Sequence, residues 1–275
     1  MGKFDGILLV SDLDSTLLTN DKRISEGNRA AIDRFVAEGG RFTFITGRSP
    51  IGTGSVFAQY TPDAPVGCLN GGAVYDVRTK QYAWSLPLDP RAEVLVDYVI
   101  DRFPDIGVAL NGFEEIWIQK NNPLTDVYRK LESLPYVEKT YREVADWMAK
   151  VLLIIEEEQI PALKQALAEH PLAEQFDFVQ STSVYYEILP KGAGKGALLL
   201  RIADMMGIPH DRTVAVGDNC NDVSMLQAAA LGVAVANSTP EAKAAADLIL
   251  TATNEENAVA QLIGLLETGA WFPRL

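Results

Sequence analysis

The sequence predicts an α/β protein, a Rossmann-like three-layer core around a parallel sheet with an α+β cap domain inserted into it. Three observations carry the prediction. Short apolar runs at residues 7–10, 41–45, 213–216 and 231–235 each end in polar residues, as buried parallel strands do when they deliver side chains to the carboxyl edge of a sheet. Helical signals follow these runs, and strands alternating with helices imply parallel, right-handed crossovers. Across residues 82–188 the pattern changes to short amphipathic runs mixed with helices, which suits a partly antiparallel sheet with one covered face. The expected organisation is a core of residues 1–81 and 189–275 with the cap at 82–188.

In chain order, the first run leads into Asp12 and Asp14. Ser25 then caps a helix over 28–36 that stops at Gly39-Gly40. The second strand runs into Thr46-Gly47-Arg48-Ser49. In the insert, 92–103 and 160–170 have helical spacing, while 115–119 and 184–188 read as strands with Trp117, Tyr185 and Tyr186 as core or sheet-face residues. Proline and glycine mark the junctions at 84–87 and 189–192. The third core strand ends in Gly217-Asp218-Asn219-Cys220-Asn221-Asp222 before a helix through 225–229. The fourth ends at 237–240, where Pro240 is placed to open a helix over 241–246.

Composition narrows the function. With 275 residues and a formal charge of −13, the chain lacks the clustered Lys and Arg that bind a phosphate backbone, so nucleic acid is excluded as a partner. A small anion is not, because a bound divalent ion dominates its local field. No apolar stretch approaches the ~20 residues that span a bilayer, and the N-terminus lacks the form of a secretory signal, which together place the protein in the cytoplasm and off the membrane. Two cysteines and two histidines, scattered along the chain, exclude a zinc site or disulfide framework. Oligomeric state leaves no mark in the sequence.

Taken alone, Asp12 and Asp14 fit either an Asp-rich turn or a nucleophile with an acid/base partner. The other strand ends favour the second. Phosphoryl transfer through a covalent intermediate needs a nucleophile, an acid/base, a cation for the transferred oxygens and a metal held by oxygen ligands. Asp12 suits attack on phosphorus, Asp14 suits proton transfer, Asp218 and Asp222 suit a metal, and Thr46 suits a hydrogen bond to a phosphoryl oxygen.

At this point the chain resembles the haloacid dehalogenase-like superfamily, in its Cof-type sugar-phosphatase-like branch. Asp12-Leu13-Asp14-Ser15-Thr16, Thr46-Gly47-Arg48, Lys195 at a helix start, and Gly217-Asp218-Asn219-Cys220-Asn221-Asp222 carry the resemblance in order; Asn70-Gly71 and the stretch from Gly232 to Asn237 add to it. The resemblance implies an aspartyl-phosphate on Asp12 and Asp14 as acid, then base. It implies Mg2+ held by Asp12, Asp218 and the Asp14 carbonyl, with Asp222 orienting metal-bound water. Thr46, Gly47, Arg48, Lys195 and Asn221 would bind phosphate, with Lys191 the rival of Lys195. It further implies a cap that roofs the site and selects small phosphorylated metabolites. A phosphomutase or phosphotransferase and a non-catalytic metabolite sensor stay open as alternatives. One departure stands out: Ser15 replaces the family's usual Gly, and a helical backbone is expected there, in which serine is harmless.

Overall fold

A computed structural model describes residues 2–131 and 135–269. In chain order its strands are β1 (Leu8–Ser11), β2 (Arg41–Phe44), β3 (Val66–Cys68), β4 (Ala73–Asp76), β5 (Gln81–Ser85), β6 (Gly107–Gly112), β7 (Ile116–Lys120), β8 (Met148–Ile154), β9 (Phe176–Thr182), β10 (Tyr185–Pro190), β11 (Thr213–Gly217), β12 (Leu231–Ala234) and β13 (Leu248–Ile249). The chain divides into two compact units: Leu86–Ala193 form one, and the described residues on either side form the other. The division lies a few residues beyond 82 and 188. β5 stays paired with β4 through Ser85, and β10 runs on to Pro190 against β9.

In the first unit, β13, β12, β11, β1 and β2 lie side by side in that order, all parallel. β1, β11 and β12 are buried along their whole length, which is why their runs are apolar throughout and do not alternate. β1 is flanked by β11 and β2, so its end lies between theirs. The ladder holds to the last residue: Asp12 N–H donates to Val216 O at 2.9 Å and Ile45 N–H to Ser11 O at 3.0 Å.

Local signals set the helices around this sheet. Ser25 Oγ accepts the Asn28 N–H at 3.2 Å and starts Glu26–Ala37, and the chain leaves that helix through Gly39 at φ 97°. Thr239 caps Pro240–Ala245 in the same way. The helices Lys195–Met206 and Val223–Ala228 bury Leu198, Leu199, Ile202, Met225 and Leu226 with Leu8, Val10 and Ala215. Each such side chain stabilises the fold by about 1.5–3 kcal/mol relative to exposure. The helix Ala258–Glu267 packs against Glu26–Ala37. An antiparallel sheet of β3, β4 and β5, unforeseen from the sequence, joins β2 through a parallel bridge from Ile45 to Gly67.

The second unit is an antiparallel sheet in the order β7, β6, β8, β10, β9. The helices Ala92–Arg102 and Ile160–Ala168 pack Leu95, Val99, Leu163 and Leu167 against Val108, Val151, Leu153 and Ile188 on one face, and Trp117 and Tyr186 belong to that core. Tyr185 packs with Tyr128 on the other face. Lys150 and Glu187, on β8 and β10, form a buried ion pair at 2.7 Å. Among the described residues no helix is long and apolar enough to cross a membrane, and no disulfide links Cys68 to Cys220.

Candidate active site

The carboxyl ends of β1, β2 and β11 bring most of the singled-out residues together within the first unit. Asp12 follows β1 directly and is buried. After it the chain makes one wide turn, closed by Leu18 N–H on Leu13 O at 2.8 Å. That turn carries Asp14 to Arg48 and Lys22 and returns Thr16, whose hydroxyl donates to Asp218 Oδ1 at 2.8 Å. The turn also corrects one expectation. Ser15 is not helical; it is left-handed, at φ 57° and ψ 11°, a region that costs an L-residue roughly 1–2 kcal/mol. Asn237 Nδ2 donates to the Ser15 carbonyl at 2.8 Å, and Asn237 is itself held by the Asn254 N–H at 3.0 Å.

Lys195 is the centre of the charge arrangement. It begins the helix Lys195–Met206 behind Gly194, whose φ of 148° lets the chain enter that turn. Its ammonium, 1 % exposed, donates to Asp12 Oδ1 and to Asp222 Oδ1, both at 2.6 Å. Asp222 is fully buried, and its other oxygen accepts the backbone N–H groups of Asp218 and Asn219 at 2.9 and 3.0 Å. Lys191, the alternative lysine, lies outside this group: it is exposed and pairs with Asp177 at 2.9 Å.

Asp12, Asp218 and Asp222 each offer an oxygen within 4.8 Å of the others. Three carboxylates share one buried ammonium, so the cluster is short of positive charge. Burial pushes the Asp12 carboxyl well up, against the pull of Lys195, and the neighbouring acids push it further. Asp218 is pushed up to about 7 by burial first and then by Asp222, with Thr16 and Lys195 opposing. For Lys195 burial favours the neutral form, but Asp12 and Asp222 outweigh it and raise its pKa. An all-oxygen donor set with excess negative charge fits a hard divalent cation such as magnesium.

Asp14 belongs to a second arrangement. Arg48 grips its carboxylate in a fork, Nε to Oδ2 at 2.7 Å and Nη2 to Oδ1 at 2.6 Å, and Lys22 Nζ adds a bond to Oδ1 at 2.7 Å. Burial alone would raise the Asp14 carboxyl; the bonds from Arg48 and Lys22 override it and hold it low. Arg48, read from sequence as a phosphate ligand, thus turns its guanidinium to Asp14. Thr46 is buried, with its N–H on Gly67 O at 2.9 Å and its hydroxyl oxygen accepting the Arg48 N–H at 3.2 Å. Gly47 packs against the Asn70 amide so closely that a Cβ there would lie 2.9 Å from Nδ2. Asn221 Nδ2 donates to Asn70 Oδ1 at 3.1 Å.

Three participants escaped the sequence reading. Thr16 lay in the first motif without a role, Asn70 carried only a resemblance, and Lys22 had no signal.

Two predictions follow from the backbone and the charges. Ser15→Gly relieves a left-handed serine, a gain partly offset by the entropy of the unfolded chain, so urea unfolding should show about 1 kcal/mol of added stability and Ser15→Ala none. An unchanged midpoint for Ser15→Gly would remove the strain argument. The second concerns pH. Because folding raises the Asp218 pKa from its ordinary value to about 7, the native state holds the extra proton and this group's stabilisation falls as pH rises from about 4 to 7. In EDTA, the melting temperature of the wild type relative to Asp218→Asn should fall by roughly 5 °C or more across that range. Magnesium at pH 7 should raise the wild type and leave Asp218→Asn nearly unmoved; parallel pH curves for the two proteins would contradict the assignment.

The chain is similar to known proteins along most of its length. The family model described as haloacid dehalogenase-like hydrolase matches residues 9–263. A phosphatase of Bacillus subtilis, 5-amino-6-(5-phospho-D-ribitylamino)uracil phosphatase YitU, is 30% identical over 262 residues, covering 93% of this chain and 96% of its own. The pyridoxal phosphate phosphatase YbhA of Escherichia coli is 26% identical, covering 93% and 97%. The crystal structure of a haloacid dehalogenase-like hydrolase from Bacteroides thetaiotaomicron superposes with a TM-score of 0.79 at 26% identity, over 94% of this chain and 99% of that one.

Proposed function

Because the chain belongs to the haloacid dehalogenase-like hydrolase family, we propose that it is a magnesium-dependent phosphatase of small phosphorylated metabolites, working through an aspartyl-phosphate on Asp12. The observation that supports this reading above all is the buried Lys195 ammonium between Asp12 and Asp222, beside Asp218. A structural ion pair would balance its charges; this one leaves carboxylates in excess.

In the proposed reaction an Asp12 oxygen attacks phosphorus, and the bond from phosphorus to the leaving oxygen breaks as Asp14 gives that oxygen a proton. Water then attacks the aspartyl-phosphate, Asp14 takes its proton, and the acyl-phosphate bond breaks to restore the Asp12 carboxylate. The grip of Arg48 and Lys22 favours the ionised Asp14 needed for this second half. For the first half Asp14 takes up its proton while the substrate's phosphate dianion competes for Arg48. Lys195 holds the attacking carboxylate in place, and Thr46, Gly47 and Asn221 supply donors to the phosphoryl group. Asp12 and Asp218, with the Asp14 carbonyl and Asp222 alongside, would hold a magnesium ion, which would supply charge that offsets the phosphoryl oxygens.

Asp12→Asn should melt no lower than the wild type, since it removes one crowded charge, and should lose at least about 10³-fold in kcat on p-nitrophenyl phosphate. Magnesium-dependent turnover surviving in that variant would end the proposal. Orthophosphate should appear without a bisphosphate activator; a requirement for one would point to a phosphomutase.

Choice of leaving group we assign to the second unit, because the catalytic candidates all lie in the first. Pyridoxal phosphate and the phosphoribitylaminouracil, named for the relatives above, are the substrates to test first. Exchanging residues 86–193 for the corresponding segment of YitU should carry that enzyme's preference with it, at least about tenfold in relative kcat/KM. A preference unmoved by the exchange would place selectivity elsewhere.

A further inference from the structure

Leu69 and Asn70 are consecutive left-handed residues, at φ 59° and 52°, and Gly71 follows at φ 119°. For a leucine this is a rare conformation, and both side chains are buried. Such backbone persists only where its surroundings over-determine it. Here the surroundings are the second strand's loop and the fourth motif. The Asn70 and Leu69 N–H groups donate to Thr46 O at 3.1 Å and Arg48 O at 3.0 Å. The Asn70 amide fills the space over Gly47, where a Cβ would lie 2.9 Å from Nδ2 and 3.0 Å from Oδ1. Its Oδ1 accepts the Asn221 Nδ2 at 3.1 Å.

We infer that Asn70 is a positioning residue: it fastens the 46–48 loop to the Asn221 segment and fixes both sets of phosphate donors in one arrangement. The backbone bonds set the path of the 46–48 loop, and the side chain sets the direction of the Asn221 amide. Asparagine suits both duties, because its short polar side chain tolerates the left-handed region better than others do. The inference rests on the phosphatase reading, since the donors it aligns are those assigned to the phosphoryl group.

The test uses the full chain with magnesium and p-nitrophenyl phosphate. Asn70→Gly keeps a backbone free to be left-handed and removes only the amide. It should melt close to the wild type yet lose about 10- to 100-fold in kcat, the scale of a misplaced reacting group, with KM changing far less. A simple turn residue would move the melting temperature and leave kcat of the folded enzyme alone. Asn221→Ala should lose activity too, and the double variant should be no worse than about twofold below the poorer single one, because the two act as a unit. If Asn70→Gly does not fold, Gly47→Ala presses a methyl onto the same amide and should show the same loss in kcat.

Wild-type kcat in the folded Asn70→Gly or Gly47→Ala variant, or losses that multiply in the double variant, would overturn the inference. An inactive wild type would instead overturn the phosphatase reading, so the two failures are distinct.

Discussion

The bond pair from Lys195 to Asp12 and Asp222 is the constraint on which the rest of the site depends. Three acids meet at the carboxyl edge of a buried parallel sheet, where water cannot screen them. One ammonium, itself without solvent, joins two of them and neutralises part of their charge. Neither partner is tolerable there alone: a single unpaired charge at such a position costs several kcal/mol. The pairing of β1 with β11 serves the same arrangement, because it sets Asp12 beside the loop that follows β11. Glycines at 194 and 217 serve it too. Gly194 turns the chain into the Lys195 helix at φ 148°, and a Cβ on Gly217 would meet the Asp222 carboxylate at 2.6 Å.

The second unit solves a similar problem differently. Lys150 and Glu187 are both buried on neighbouring strands of its sheet, and they pair at 2.7 Å. Around Lys195 the count is uneven; burial raises the pKa values of Asp12 and Asp218, and the neighbouring acids add to it. Excess carboxylate around a single ammonium is what a place for a further cation offers.

The parallel sheet was legible in the sequence because its strands are buried on both faces, so β1, β11 and β12 appear as unbroken apolar runs. The helices were legible through local chemistry, such as Ser25 capping Asn28 and Pro240 opening its helix. What escaped was short or partly exposed. β3 is the tripeptide Val-Gly-Cys, β5 is exposed at alternate residues, and β13 has two residues. β3 and β5 pair with the neighbouring β4, so what hid them was brevity and partial exposure, which leave too few apolar residues to form a pattern; β13 takes its strand character from β12. In the site, acids at strand ends announced themselves, while the directions of side chains did not. Arg48 was read as a phosphate ligand, whereas its fork on Asp14 depends on the fold of the 46–48 loop. Lys22 reaches the same carboxylate from an exposed turn that carried no signal in the sequence.

Backbone strain marks the same boundary between what a local sequence favours and what the site imposes. Among the described residues, the left-handed positions other than glycine are Ser15, Lys22, Leu69, Asn70, Lys80 and Asn257. Ser15 follows Asp14, Lys22 bonds to it, and Leu69 and Asn70 brace the loop that carries Thr46 and Arg48. Local propensity opposes Ser15, Lys22 and Leu69 in particular, since asparagine tolerates the region better, and a helix was the expectation at Ser15. Lys80 and Asn257 stand apart from the site, while the four positions from Ser15 to Asn70 stand at it. Their shared location has a physical reason. A group that must meet an incoming phosphate cannot be left to choose among its own low-energy conformers, so its loop is held by tertiary bonds in a conformation the free chain would abandon. The buried ladder of β1, β2 and β11 supplies the stability against which that strain is maintained. Rigid sheet and strained loops are therefore one arrangement, and the carboxyl edge is where they meet.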